Sequence, residues 1–212
     1  MKKLVIFILL ILFTQAGFGK TDVNKVINKL QKKFKKVDAI KIDFKQINTF
    51  KLTGVENEIF GTLWLTKDNK FRFETEDQTI VTNGETYWRY NKLEEQVLID
   101  YAKKSSDDVF LTDFIFRVED EYTAQLIQES DSKSGKVVEI KLTPKNVEES
   151  FFSYIKIWVL EKNEDISKIQ YVDYNDNETT YEIEKLDSKP ELGETIFNFK
   201  IPDGIEAVDL RF

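Results

Sequence analysis

The chain contains no cysteine and no histidine, and its 212 residues include only three prolines and eight glycines. Without thiol or imidazole there is no Ser-His-Asp or Cys-His nucleophile, no thiolate or imidazole metal site, no iron–sulfur cluster and no disulfide framework. No side chain titrates near pH 6.5 by default. The basic residues are outnumbered, with Lys+Arg 31 against Asp+Glu 38 and a net charge of −7. Nucleic-acid binding, which needs Lys and Arg concentrated on one face to displace counterions, is therefore not expected. The chain carries no Gly-rich phosphate loop. Pro144, Pro190 and Pro202 are scattered and no Ser/Gly tract separates two halves, so a single domain is expected.

Aromatic residues, by contrast, make up 13% of the chain. The first residues are set apart: Met1-Lys2-Lys3 is basic, Leu4 to Phe13 is an apolar run, and Thr14 to Gly19 ends in small residues. The run is about half of what a bilayer span requires. Residues 1–19 read as a secretory signal cleaved after Gly19, leaving 20–212 as the mature domain. With no Cys to acylate, that mature chain is expected to be soluble.

Thr21 or Asp22 can cap a helix in which Val23, Val26, Ile27, Leu30 and Phe34 recur at helical spacing. From Ala39 the period becomes two. Ile40, Ile42 and Phe44 alternate with Lys41, Asp43 and Lys45; Phe71 and Phe73 alternate with charged neighbours, as do Val138, Ile140 and Leu142. Asn83-Gly84 is a strong hairpin signal, and turn-forming clusters recur at 67–69, 132–135, 162–165 and 175–177. Tight turns between strands imply antiparallel neighbours. One stretch breaks the pattern: Ser105 to Asp108 offers caps, and Val109, Phe110, Leu111, Phe114, Ile115 and Phe116 follow as a short apolar helix or lid. The expected architecture is mainly β: a single curved antiparallel sheet of roughly ten or eleven strands, an unclosed β-barrel covered by an N-terminal helix and a central helical lid.

Phe44-Lys45-Gln46, Gly61-Thr62-Leu63-Trp64-Leu65, Asn69 to Phe73, Thr82-Asn83-Gly84 with Trp88 to Asn91, Leu142 to Lys145, Phe197-Asn198-Phe199 and Pro202 to Ile205 follow one another in the order and spacing of a known family. The chain resembles the periplasmic outer-membrane lipoprotein carrier family LolA over essentially the whole mature region. That resemblance implies an unclosed barrel whose helices form a lid over a hydrophobic cavity, and a monomeric periplasmic carrier that is not an enzyme and needs no cofactor. It also implies partners: acylated lipoproteins, an inner-membrane ABC-type extractor and a LolB-like outer-membrane receptor.

Three residue sets follow from this reading. Phe44, Trp64, Phe71, Phe73 and Trp88 are the expected acyl-chain-binding wall, although Trp64 must face opposite to Leu63 and Leu65 by alternation. Phe110, Leu111, Phe114 and Ile115 are the expected lid. Lys67 stands where the family commonly has an Arg followed by Pro that latches the lid; here Lys67-Asp68 keeps the charge and loses the planar fork, leaving Arg72 or Arg89 as other latches. No catalytic or metal-binding set is expected: Glu119-Asp120-Glu121 is a run of adjacent acids, and Asp173 to Asn177 lacks the length and closing Glu of a calcium loop. The alternatives are a LolA-like lipid sensor such as RseB, the receptor LolB, and a peptide- or glycan-binding β domain. LolB is disfavoured by the missing Cys and RseB by the lack of a second domain.

Overall fold

The computed structural model describes residues 21–68, 70–102, 118, 121–148, 150–193 and 195–211. The chain opens with α1 (Val23–Phe34), capped by Asp22, whose carboxylate accepts from the Lys25 N–H at 3.3 Å. Ile27, Leu30 and Phe34 lie on one stripe and are buried, while the lysines keep to the other face. Two of those lysines tie the helix down at its side: Lys29 pairs with Glu164 at 3.4 Å, and Lys33 pairs with Asp165 and donates to the Asn163 carbonyl at 2.8 Å.

The strands are β1 (Ala39–Phe50), β2 (Val55–Thr66), β3 (Phe71–Thr75), β4 (Gln78–Thr82), β5 (Thr86–Asn91), β6 (Gln96–Tyr101), β7 (Tyr122–Ser132), β8 (Gly135–Pro144), β9 (Tyr154–Leu160), β10 (Asp165–Val172), β11 (Glu178–Asp187) and β12 (Glu206–Asp209). They form one sheet in the order β12-β6-β5-β4-β3-β2-β1-β11-β10-β9-β8-β7. The sheet is curved and unclosed, since β12 and β7 end it without pairing to each other. The expected turns are where the sheet folds back. At the β4–β5 hairpin Asn83 Oδ1 accepts from the N–H groups of Glu85 (3.0 Å) and Thr86 (2.8 Å), and Gly84 takes the φ of +92° that the turn demands.

Two features differ from expectation. Among the described residues the strands number twelve rather than ten or eleven, and β12 pairs with β6 in parallel, Glu206 opposite Gln96 through Asp209 opposite Ile99. Residues 188–205 make the long crossover that parallel pairing needs. This crossover also covers the outer face of β4 to β6: Phe199 packs on Tyr90 with ring centres 5.8 Å apart, and Thr79, Val81 and Val97 on that face are buried. Beyond β12, the Leu210 N–H donates to the Ile99 carbonyl at 2.8 Å and Arg211 grips Asp209 at 2.6 Å. The lid residues Phe110, Leu111, Phe114 and Ile115 lie outside the described residues. Just beyond them Val118 is buried in the main core. Among the described residues no helix is long and apolar enough to cross a membrane, which says nothing about strands.

Candidate functional site

Alternation and register decide which side chains share the inner face. In β1, Ile40, Ile42 and Phe44 are buried, and their partners on β2 are Leu65, Leu63 and Gly61. Leu63 in turn stands opposite Phe73, and Leu65 opposite Phe71. On the other side of β1, Phe44 stands opposite Ile183 of β11, and the row continues through Tyr181, Ile169, Ile157 and Ile140 on β11, β10, β9 and β8. The stripe of α1 belongs to the same core. Cross-strand neighbours on one face touch, so these pairings weld strands from β3 to β8 into one apolar surface.

A chain of rings runs along it. Phe73 stacks on Phe44 with centres 5.2 Å apart, Phe44 meets Tyr181 edge-on at 5.3 Å, Tyr181 meets Tyr171 edge-on at 6.0 Å, and Tyr171 meets Phe152 at 4.8 Å. Offset and edge-to-face contacts of this kind are the favoured arrangements of aromatic quadrupoles. Burial pushes the Tyr181 phenol above its ordinary range, so this ring stays uncharged even in alkaline solution. Gly61 makes room for the central ring, because Phe44 lies directly over it.

The five expected wall residues do not all share this surface. Phe44, Phe71 and Phe73 do. Trp64 stands between Lys41 and Arg72 on the opposite face, with the Lys41 ammonium 5.5 Å from its ring. Trp88 stands between Val81 and Ile99, on the outer face that the 188–205 crossover covers, and is half-buried. Trp64 faces away from Leu63 and Leu65 as alternation requires, and the inclusion of both tryptophans in the wall with Phe44 and Phe73 is corrected. Their face is a different environment: Lys168 sits 3.8 Å over Trp158, Lys141 4.1 Å over Tyr154, and Lys45 pairs with Glu58 at 2.7 Å. There rings serve as platforms for lysine stems and ammonium groups under solvent.

Tyr171, Tyr181 and Phe152 belong with Phe44 and were not singled out from sequence. Alternation in Tyr181-Glu182-Ile183-Glu184 marks a half-buried strand, but only register brings Tyr181 under Phe44. Toward the β5–β6 end the inner face turns polar. Ile80 gives way to Arg89 and then Leu98 across the strands, and a cleft of about 320 Å³ there is lined by Asp77, Gln78, Arg89, Asn91, Glu94 and Gln96 among others. Arg72 faces outward, its Nε donating to Glu74 at 2.8 Å. Lys67 donates to Asp38 at 3.0 Å in the turn between α1 and β1, and the segment it would latch lies outside the described residues. Asp68 binds Lys70 at 2.6 Å and Thr66 at 2.5 Å, and these hydrogen bonds hold its carboxyl below the ordinary range.

The Asp173 turn is occupied by its own backbone. Asp173 accepts from the N–H groups of Asn175 (2.7 Å) and Asn177 (2.9 Å) and from the Asn177 amide at 2.9 Å. Burial alone would raise its carboxyl, and these donors outweigh it and lower it. Among the described residues no group of three or more acidic side chains is arranged to hold a metal ion.

A family model described as outer membrane lipoprotein carrier protein LolA matches residues 35–200. An outer-membrane lipoprotein carrier protein of Legionella pneumophila (strain Corby) is 26% identical over 207 residues, covering 95% of this chain and 96% of the relative. One from Psychromonas ingrahamii is 28% identical over 218 aligned positions and spans both chains completely. Among solved structures, an uncharacterized conserved protein from Thermus thermophilus aligns with a TM-score of 0.57 at 11% identity, covering 88% of this chain and 98% of that one; this likeness is one of fold alone.

Proposed function

The chain belongs to the LolA family of outer membrane lipoprotein carrier proteins, and from that membership we propose that it is a periplasmic chaperone that shields the acyl chains of lipoproteins and delivers them to the outer membrane. In this reading residues 1–19 direct secretion and are removed. An ABC-type extractor in the inner membrane loads the carrier, and a LolB-like receptor unloads it.

The observation that supports this reading most is the uncharged aromatic and aliphatic inner face running from Phe73 through Phe44 to Tyr171, carried on a sheet that does not close. A sixteen-carbon chain buried at ~0.8 kcal/mol per CH₂ represents on the order of 12 kcal/mol, and three such chains roughly 35. An acylated protein therefore crosses water only if a surface of this kind takes over from the bilayer. Because carrier and membrane offer similar apolar surroundings, loading needs an outside energy source, and the carrier itself needs no nucleotide site. In this reading a lid closes over the empty inner face and yields to acyl chains on loading, a part the sequence assigns to the 105–118 segment, most of which lies outside the described residues.

Native mass spectrometry of protein purified from a host with intact lipoprotein synthesis tests the reading. A fraction of the carrier should ionise with acylated lipoprotein bound. A purely apo spectrum, with the lipoprotein pool undiminished in the membranes, would count against it.

A further inference from the structure

The β1–β2 hairpin ends in an apolar tip, and we infer that this tip inserts into the interfacial region of a phospholipid bilayer. Leu52 is 97% exposed, with Phe50 at 46% and Val55 at 54% beside it in sequence. An isolated exposed leucine needs no explanation, but three apolar residues in one six-residue turn present a small contiguous surface that water solvates poorly.

On its β2 side the hairpin runs well past its neighbour, while on its β1 side β11 accompanies it nearly to the turn. Both hairpin strands have 12 residues; among the described residues β3 pairs with β2 only from Gly61 to Leu65, and β11 pairs with β1 as far as Thr49. Its charge is anomalous for this chain: from Ile47 to Val55 there is a single Lys51 and no acidic residue, in a protein of net charge −7.

Part of the tip's backbone is already paired within the protein, which lowers its cost in a medium of low dielectric, where unmet amides are costly. The Gly54 N–H donates to the Phe50 carbonyl at 2.8 Å, the Val55 N–H to Thr53 Oγ1 at 3.3 Å, and the Lys51 N–H to Asn177 Oδ1 at 3.1 Å. Gly54 supplies the φ of +66° that closes the turn. The Asn177 contact braces the hairpin against the β10–β11 turn, where Tyr174 (54% exposed) donates to the carbonyl of Val147 (55% exposed) at 2.9 Å. Through these contacts the tip adjoins the exposed Tyr174 and Val147, which widen the apolar surface around it. Leu52 and Phe50 enter the headgroup–acyl boundary, and Lys51 reaches back to the phosphates.

Because the chain has no Cys, a single Leu52→Cys substitution can be labelled with an environment-sensitive nitrobenzoxadiazole fluorophore, and a Ser134→Cys label in the β7–β8 turn is the control. The full chain is mixed with phosphatidylethanolamine/phosphatidylglycerol vesicles and with phosphatidylcholine vesicles. The label at position 52 should brighten several-fold and shift to the blue with vesicles, while the label at 134 should not change. The response should survive about 0.5 M salt, since insertion of an acidic protein owes little to charge attraction. Adding Phe50→Glu should cut it at least threefold. No response at position 52, an equal response at 134, or loss of the response in salt would each overturn the inference. Circular dichroism checks that the variants fold. Membrane contact and cargo carriage are read by different experiments, so either stands or falls without the other.

Discussion

The ring of Phe44 lies across Gly61, its partner on the neighbouring strand, so closely that a Cβ at position 61 would come within 2.5 Å of Phe44 Cζ and 2.8 Å of the Glu74 carbonyl oxygen. The Gly-x-Leu-Trp segment therefore begins with glycine for a steric reason. Gly61→Ala should destabilise the fold by about 1–3 kcal/mol, because a packed ring and a strand carbonyl must both move. At roughly 2–4 °C per kcal/mol for a domain of this size, the shift is visible in a thermal melt. The double variant Phe44→Ala/Gly61→Ala should lose less than the sum of the two singles. Additive losses would show that ring and glycine do not interact.

The two faces of the sheet should respond differently to mutation. Phe73→Ala removes a ring buried against Phe44 and is expected to cost about 3–5 kcal/mol. Trp64→Ala, on the outer face under Lys41, should cost far less and leave binding of a palmitoylated fluorescent peptide within twofold of the parent. The milder Phe73→Leu should keep the fold and weaken that binding severalfold. Equal effects on binding from Trp64→Ala and Phe73→Leu would contradict the assignment of the inner face.

With no histidine in the chain, stability should be level across neutral pH. Asp68, Asp173 and Asp209 all have carboxyls held below the ordinary value of 3.8, Asp209 at about 2 through its hydrogen bonds from Arg211. A lowered folded value means stability that is present above the unfolded value and lost as pH falls through the folded one. Tyr181 works in the opposite sense: raised by burial above 10.0, it contributes stability that is lost as pH climbs past that value. Urea midpoints should therefore be flat between about pH 5 and 9 and decline on either side. A sigmoidal change near pH 6.5 would contradict this.

Lys67 has two readings that one variant separates. Its pair with Asp38 is solvent-exposed and should be worth no more than ~1 kcal/mol, so Lys67→Leu should barely change the melting temperature. If Lys67 also latches the lid, the same variant should release acylated cargo several times faster in a transfer assay. Unchanged release would leave Lys67 as a tie between the end of β2 and the α1–β1 turn and nothing more. Phe114→Glu addresses the lid directly and should lower cargo retention; retention equal to the parent would remove the 105–118 segment from the mechanism.

Much of the fold was legible because local signals agreed with one another. Ile40, Ile42 and Phe44 alternate cleanly with charged residues, Asn83-Gly84 sits between two apolar runs, and the stripe from Ile27 to Phe34 has no competing period. Where the reading fell short, the missing quantity was register. Tyr87-Trp88-Arg89-Tyr90 carries large rings on both faces, so alternation alone does not say which of them points inward; the pairing of Ile80 with Arg89 does, and it turns Trp88 away. Tyr181 and Tyr171 come from strands far from Phe44 in sequence, and their contacts exist only once β11 pairs with β1. Glu206-Ala207-Val208-Asp209 is too short to show a period, and its parallel pairing depends on a crossover whose path no local motif encodes.

Under the proposed function the inner face, and not the outer, holds acyl chains. Photo-cross-linking with a diacylated lipopeptide bearing a diazirine near each chain end tests it most directly. Adducts should map by peptide sequencing to the inner-face positions on β1, β3, β8 and β11, with Phe44, Phe73, Ile140 and Tyr181 among them. Adducts confined to the outer-face rings Trp64, Tyr154 and Trp158, or spread evenly over the surface, would contradict it.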